Sequence, residues 1–118
     1  GGERVKGAAV REAREEVGVE VAFGDLEIVG VMHRLSDDER IDFFLAASSW
    51  SGQVTNAEPG KCDRLGWFDI DALPDNVIPY VRRALENYRR RNRRRDPAPT
   101  EAEERDRGVW FDSFGWEA

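Results

Sequence analysis

The chain has one cysteine, one histidine, one methionine and five prolines in 118 residues, and each scarcity removes a class of protein. A lone Cys62 cannot close an internal disulfide, so no disulfide framework holds the fold; one thiol without a secretory segment fits a reducing compartment and points to the cytoplasm. Cys62 lies in no local catalytic signature and reads as inert. His33 has no cysteine or histidine at metal-ligand spacing and no serine-nucleophile context, so a surface or strand histidine is expected rather than a zinc site or a triad. No run approaches the roughly 18 apolar residues of a membrane helix, and no charged-then-apolar leader opens the chain, so a soluble protein without a membrane partner is expected. Internal repeats are also missing.

What is present is enough for one domain: 40% of the residues are hydrophobic and 10% of the chain is aromatic, spread from Val5 to Leu85. Charged residues make up 36% and the net charge is -6. That average hides an asymmetry, because residues 82–95 hold eight arginines against one acid, Glu86, a local +7 that leaves -13 elsewhere. An acidic body argues against a general phosphate-backbone binder and favours bound cations. The arginine run contains no interleaved aromatics for base stacking, is followed by Glu101, Glu103, Glu104 and Asp106, and suits a helix C-terminus, so nucleic acid is the weaker expectation.

Apolar spacing predicts the elements. Val10, Ala13 and Val17 recur at i, i+3 and i+7, which gives a helix over Val5–Val17 that Gly18 stops. Val19–Phe23 alternates like a short strand, and Leu26–Val31 is an almost continuous apolar run. The polar cluster Ser36–Arg40 separates that run from Ile41–Ala47, the pattern of a hairpin with an acidic tip. A turn-rich loop over Ser51–Gly60 precedes a further expected strand, Leu65–Ile70, which Pro74 closes off. Val77–Asn92 returns to helical spacing, with Val77, Tyr80, Val81, Ala84, Leu85 and Tyr88 on one side. Residues 93–108 read as a charged, mobile linker and 109–118 as an aromatic segment placed to dock back.

Within the first helix, Glu12, Glu15 and Glu16 lie at i, i+3 and i+4, a carboxylate face about 140° from the centre of the apolar stripe at 100° per residue. Such a face is usually solvated surface, here balanced by Arg11 and Arg14, and spacing alone does not decide its use.

The longer string is specific. Gly2-Glu3, seven residues, then Arg11-Glu12-Ala13-Arg14-Glu15-Glu16-Val17-Gly18-Val19 resembles the Nudix box, matching it from Glu3 onward with Ala13 as the weakest position. The box's first glycine would fall ahead of Gly1, and the family's opening strands are not in this sequence, so an N-terminally incomplete domain is expected. Asn56-Ala57-Glu58-Pro59-Gly60-Lys61, then Trp67-Phe68 and Leu73-Pro74, is similar to the loop, strand and turn of Nudix enzymes acting on nucleoside triphosphates. The resemblance implies an α/β fold, an α/β/α sandwich around a mixed sheet, with residues 1–92 as the Nudix domain.

The resemblance also implies a chemistry: metal-assisted cleavage of a pyrophosphate linkage in a nucleotide diphosphate-linked small molecule. Opening a phosphoanhydride brings water to a phosphorus ringed by anionic oxygens, so charge must first be neutralised. Mg²⁺, with Mn²⁺ as the substitute, prefers oxygen ligands and keeps several waters, which suits a few carboxylates plus substrate phosphates. Glu12, Glu15 and Glu16 would share the metals, more than one ion at once, Arg11 would orient Glu12 by a charge-assisted hydrogen bond, and Glu3 would hold a further metal or support the ligands. Glu58 is the acid expected from outside the box, as the base that activates water. Lys61 is expected to solvate its loop, and Trp50, Trp67 and Phe68 to pack in the core rather than stack on bases. Oxidised or other noncanonical nucleoside triphosphates are the expected substrates; nucleotide sugars, ADP-ribose, a non-catalytic nucleotide binder and a nucleic-acid binder are the alternatives. Exposed strand edges left by an incomplete sheet make a homodimer an expected assembly.

Overall fold

The structure, a computed structural model, describes residues 2–60, 65–92 and 108–116. Helix α1 spans Gly2–Val17, strand β1 Leu26–Leu35, strand β2 Glu39–Ala47, helix α2 Pro79–Arg91 and strand β3 Trp110–Phe114. The chain divides into two compact units, residues 1–28 with 45–67 and residues 29–44 with 68–118, and both β1 and β2 run from one unit into the other. Among the described residues no helix is long and apolar enough to cross a membrane.

In the first unit, α1 turns its apolar stripe inward. Ala9, Val10, Ala13 and Val17 pack against the buried Val19, Val21 and Leu26, and Leu45 and Val54 complete the cluster. The helix stops where expected because Gly18 adopts φ +72°, a conformation that costs a side-chain-bearing residue about 1–2 kcal/mol. The Gly18 and Val19 amides donate to the Arg14 and Ala13 carbonyls at 3.1 and 3.4 Å, satisfying the last turn as the chain reverses. The alternating Val19–Phe23 segment does not become the expected strand. Only Glu20 pairs, in an isolated antiparallel bridge with Ser51, and Phe23–Asp25 tightens into a 3-10 turn. Alternation buries Val19 and Val21, but one bridge supplies no ladder.

The three strands order as β2-β1-β3. Residues 36–38 are too short a link for anything but an antiparallel pair, whereas β3 lies parallel to β1, so the sheet is mixed. The register sets Gly30 opposite Trp110, Met32 opposite Asp112 and Arg34 opposite Phe114. In the second unit this face meets α2. Arg83 and Asn87 bond Asp112 at 3.2 and 2.9 Å, and Arg34, paired to Asp42 at 2.6 Å, lies 4.0 Å from the centre of the Tyr80 ring. Met32 is fully buried. The aromatic C-terminal segment therefore docks as a strand, and the architecture is α/β as expected. The linker expected over 93–108 lies outside the described residues except for Gly108.

Helix α2 starts two residues later than the periodicity suggests. Pro79 takes the first helical position, where a missing N–H is harmless, and holds Ile78 extended at φ -54°, ψ 130°. The strand expected over Leu65–Ile70 does not form. The Asp69 carboxylate accepts the Asp71 amide at 2.8 Å, and the Asp69 carbonyl accepts that of Ala72 at 2.9 Å. This local turn takes the place of a sheet ladder. Trp67 and Phe68, expected in the core, are 76% and 56% exposed.

Candidate active site

Burial of the α1 stripe fixes the rotation of the helix and so delivers Glu12, Glu15 and Glu16 to solvent on its far side. Two arginines stand near these acids, and neither is tied to Glu12. Arg11 reaches Glu15 at 3.3 Å, an exposed i, i+4 pair of the kind worth about 0.3–0.5 kcal/mol. The orientation of Glu12 by Arg11 expected from the box is thus replaced by a contact one turn on, because i and i+4 are neighbours on a helix while i and i+1 are not. Arg14 turns away altogether: its Nε and Nη2 donate to the two carboxylate oxygens of Glu20 at 2.6 and 2.8 Å. That hydrogen bonding raises the Arg14 pKa and lowers that of Glu20. With Arg14 engaged outside the helix, Glu12 and Glu16 have no side-chain partner among the described residues.

A second element is bonded to the end of this face. Ser51 exchanges both backbone hydrogen bonds with Glu20, at 2.8 and 3.0 Å; the Thr55 amide donates to the Val17 carbonyl at 2.9 Å and the Ala57 amide to the Glu16 carbonyl at 3.1 Å. The segment expected as a functional loop is therefore anchored along the C-terminal turn of α1. Glu58, the acid expected from outside the box, follows directly after the Ala57 anchor; it is half-buried and has an interaction partner. The structure thus brings Glu58 to the α1 frame at the backbone level. The Glu3 position belongs to α1, while its side chain, like Lys61 and Cys62, lies outside the described residues.

These residues offer oxygen donors of the type a hard divalent cation takes. Among the described residues no three His, Cys, Asp or Glu side chains converge into a ready-made cage. Mg²⁺ is seldom held by such cages; it takes one or two carboxylates and completes its octahedron with waters and substrate phosphates. An exposed row of carboxylates, two of them without a side-chain partner among the described residues, is compatible with that donor set.

Two features escape sequence reasoning, the tryptophan pair and a groove, and His33 lies as expected with contacts the sequence does not show. Trp50 and Trp67, expected in the core, are 41% and 76% exposed and stack on each other, with ring centroids 5.8 Å apart and planes inclined by 16°. The turn at Asp69 is the one local signal that could have removed Trp67 from a strand. His33, expected as a surface or strand histidine, sits on β1, with Nε2 2.6 Å from a Glu39 carboxylate oxygen and its ring 4.5 Å from that of Trp116. An open groove of about 360 Å³ in the second unit is lined by Ile70, Asp71, Tyr88, Arg89 and Asn92, but its cation is already paired, Arg89 to Asp71 at 2.6 Å.

No curated protein and no solved structure matches the chain. The family model of the NUDIX domain matches residues 1–90 of the 118, a span that takes in α1, its carboxylate face and the anchored loop. Nudix proteins are hydrolases of pyrophosphate linkages that generally use divalent metals, and the chain belongs to this family.

Proposed function

We propose that the chain is a Mg²⁺-dependent pyrophosphohydrolase of nucleoside triphosphates, with oxidised or other noncanonical nucleotides among its substrates. The observation that carries this reading is the carboxylate face of α1 with an acid-bearing loop hydrogen-bonded to its last turn at Glu16 and Val17. The nucleotide part rests on the likeness of Glu58-Pro59-Gly60-Lys61, Trp67-Phe68 and Leu73-Pro74 to the members that act on nucleoside triphosphates. Lone Cys62 supports the cytoplasm as its setting.

In this reading Glu12, Glu15 and Glu16 would share more than one divalent ion, each ion taking one or two of these carboxylates, with Glu3 as a further ligand or support. When bound, the ion supplies Lewis-acid polarisation of the phosphate and a lowered pKa for water. The residues do the rest. Arg11 positions Glu15 through their ion pair. Glu58 takes a proton from the attacking water as its oxygen bonds to phosphorus, and the bridging P–O bond breaks with its electron pair leaving on the departing phosphate. Glu58 must release that proton to solvent before the next turnover, which a half-buried position allows.

The test is a hydrolysis screen of the purified chain against canonical and oxidised nucleoside triphosphates, nucleotide sugars and ADP-ribose, with Mg²⁺ or with EDTA, reading the phosphorus-containing products. Mg²⁺-dependent release of pyrophosphate or phosphate from a triphosphate is expected. Cleavage confined to the sugar-linked diphosphates would overturn the substrate class, and no cleavage of any would overturn the enzyme.

A further inference from the structure

We propose that Arg14 and Glu20 form a positioning clamp: by holding the segment after Gly18 to the flank of α1, their ion pair sets where the loop bearing Glu58 stands on the helix. The inference rests on the function proposed above and adds to it two positioning residues that act through the loop rather than on cation or substrate.

At 100° per residue, Arg14 lies about 70° from the centre of the Val10, Ala13, Val17 stripe and about 150° from that of Glu12, Glu15 and Glu16. It therefore stands at the rim of the core, away from the carboxylates. Glu20 reaches the same rim by alternation, since Val19 and Val21 are buried and the side chain between them turns outward. There Nε and Nη2 of Arg14 donate to Oε1 and Oε2 of Glu20 at 2.6 and 2.8 Å. Exposed ion pairs usually contribute little; the exception is a bidentate guanidinium–carboxylate fork, which is directional as well as attractive.

The backbone of Glu20 makes the second link. It exchanges both hydrogen bonds with Ser51, while further along the same loop the Thr55 and Ala57 amides return to the Val17 and Glu16 carbonyls. Residues 51–57 are thus tied at one end to Glu20 and at the other to the helix itself, all within one compact unit. Burial of Val19 and Val21 fixes the depth of the segment but, being non-directional, not its rotation about α1. The fork supplies that direction. Glu58 directly follows Ala57, so a rotation of the segment carries through the loop to the acid proposed to take the proton, and proton transfer needs heavy atoms within about 2.6–3.2 Å.

The experiment is a double-mutant cycle in the full chain, with Arg14→Ala, Glu20→Ala, the two together and Arg14→Lys. Each is read by steady-state triphosphate hydrolysis with Mg²⁺ and, separately, by amide hydrogen exchange of the metal-free chain at Ser51, Thr55 and Ala57. In either alanine variant kcat should fall by roughly 10-fold, inside the 10²-fold or so that a displacement of about 1 Å causes, while KM for the triphosphate and for Mg²⁺ stays within about two-fold. The double variant should be no worse than either single one, because each removes the same clamp. Arg14→Lys should fall between parent and alanine, since an ammonium is a point charge and cannot fork. Exchange at Ser51 and Ala57 should quicken by about 2- to 5-fold, with the rest of α1 unchanged. Both side chains are more than half exposed, so the melting temperature should stay within a degree or two of the parent. Additive losses in the double variant, a raised KM with unchanged kcat, parental activity in Arg14→Lys, or exchange that ignores both alanine substitutions would each overturn the clamp. If triphosphates are cleaved equally well by parent and variants, the clamp alone fails; if exchange responds as expected and the parent cleaves no substrate, the proposed function alone fails.

Discussion

The backbone amide of Ala57 donates to the backbone carbonyl of Glu16 across 3.1 Å, so the loop that ends in Glu58 is fixed to the very residue that closes the carboxylate face. A helix leaves its last carbonyls without internal partners, and here the loop satisfies them at Glu16 and, through Thr55, at Val17. The bond that caps the helix is therefore also the bond that positions the loop, so the stability of the helix end and the placement of the loop are linked through the same pair of residues.

Glu16→Gln separates the two roles. The substitution keeps the backbone carbonyl and the shape of the side chain and removes only the carboxylate charge, at an exposed position. Turnover should fall by about 10²- to 10³-fold, as when one group stabilising transition-state charge is lost, while the melting temperature stays within a degree or two of the parent. Steady-state hydrolysis with Mg²⁺ beside thermal unfolding checks this, and full activity in the variant would remove Glu16 from the site.

Asp112 on β3 makes an acid-dependent link to α2. Burial pushes its pKa up, but hydrogen bonds from the Asn87 amide, the Ser113 backbone and Arg83 outweigh that and hold it below its ordinary 3.8. The folded state thus favours the ionised carboxylate, and the stabilisation is complete above the unfolded value and lost as pH falls through the lower folded one. Asp112→Asn should cost about 1–2 kcal/mol at pH 7, in the range for hydrogen bonds to a charged group, and should flatten the decline in stability below about pH 4. Urea unfolding from pH 2.5 to 7 measures both, and parallel curves for parent and variant would contradict the assignment.

Legibility in the sequence followed how local each cause is. The α1 stripe, the stop at Gly18, the hairpin and the Nudix box are written in residues a few positions apart, and the elements form there, with α1 beginning at Gly2 rather than Val5, β1 running on to Leu35 and β2 starting at Glu39 inside the expected tip. Leu65–Ile70 has the composition of a strand, yet a strand exists only with a partner, and the turn at Asp69 intervenes. The Arg14–Glu20 pair joins residues six apart across the helix end, outside any helical period. The loop anchors at Thr55 and Ala57 are backbone bonds, which no side chain announces, so the sequence could single out Glu58 without showing that its loop is tied to the end of α1.

Gly30 marks a close approach within the sheet. A Cβ there would fall 1.8 Å from Cε2 and 2.2 Å from Cζ2 of Trp110, whose ring lies opposite on β3 and 5.5 Å from that of Phe44. The clash is with the body of an indole held on two sides, not with a mobile side-chain tip. Gly30→Ala should destabilise the chain by about 1–3 kcal/mol, as overpacked cores do, and Trp110→Leu in the same chain should recover part of the loss. Denaturant midpoints of the single and double variants test it; an unchanged midpoint for Gly30→Ala would mean that the indole does not occupy this space.

Gly18 brings strain to the joint itself. At φ +72° any residue with a Cβ pays about 1–2 kcal/mol, and the added carbon would stand 3.0 Å from the Thr55 hydroxyl, on the segment that carries the loop anchors. Gly18→Ala is therefore expected both to lower stability by about 1 kcal/mol or more and to shift the Thr55–Val17 and Ala57–Glu16 bonds, reducing activity further than stability alone accounts for. Gly24→Ala serves as the control, because a Cβ there meets nothing within 4 Å. Gly18→Asn should fall between the two, since asparagine tolerates the left-handed region better than alanine. Hydrogen exchange of the Thr55 and Ala57 amides reads the joint directly. Faster exchange at both in Gly18→Ala, with the rest of the first unit unchanged, is the expected result, and unaltered protection would show that the loop is held independently of the helix end.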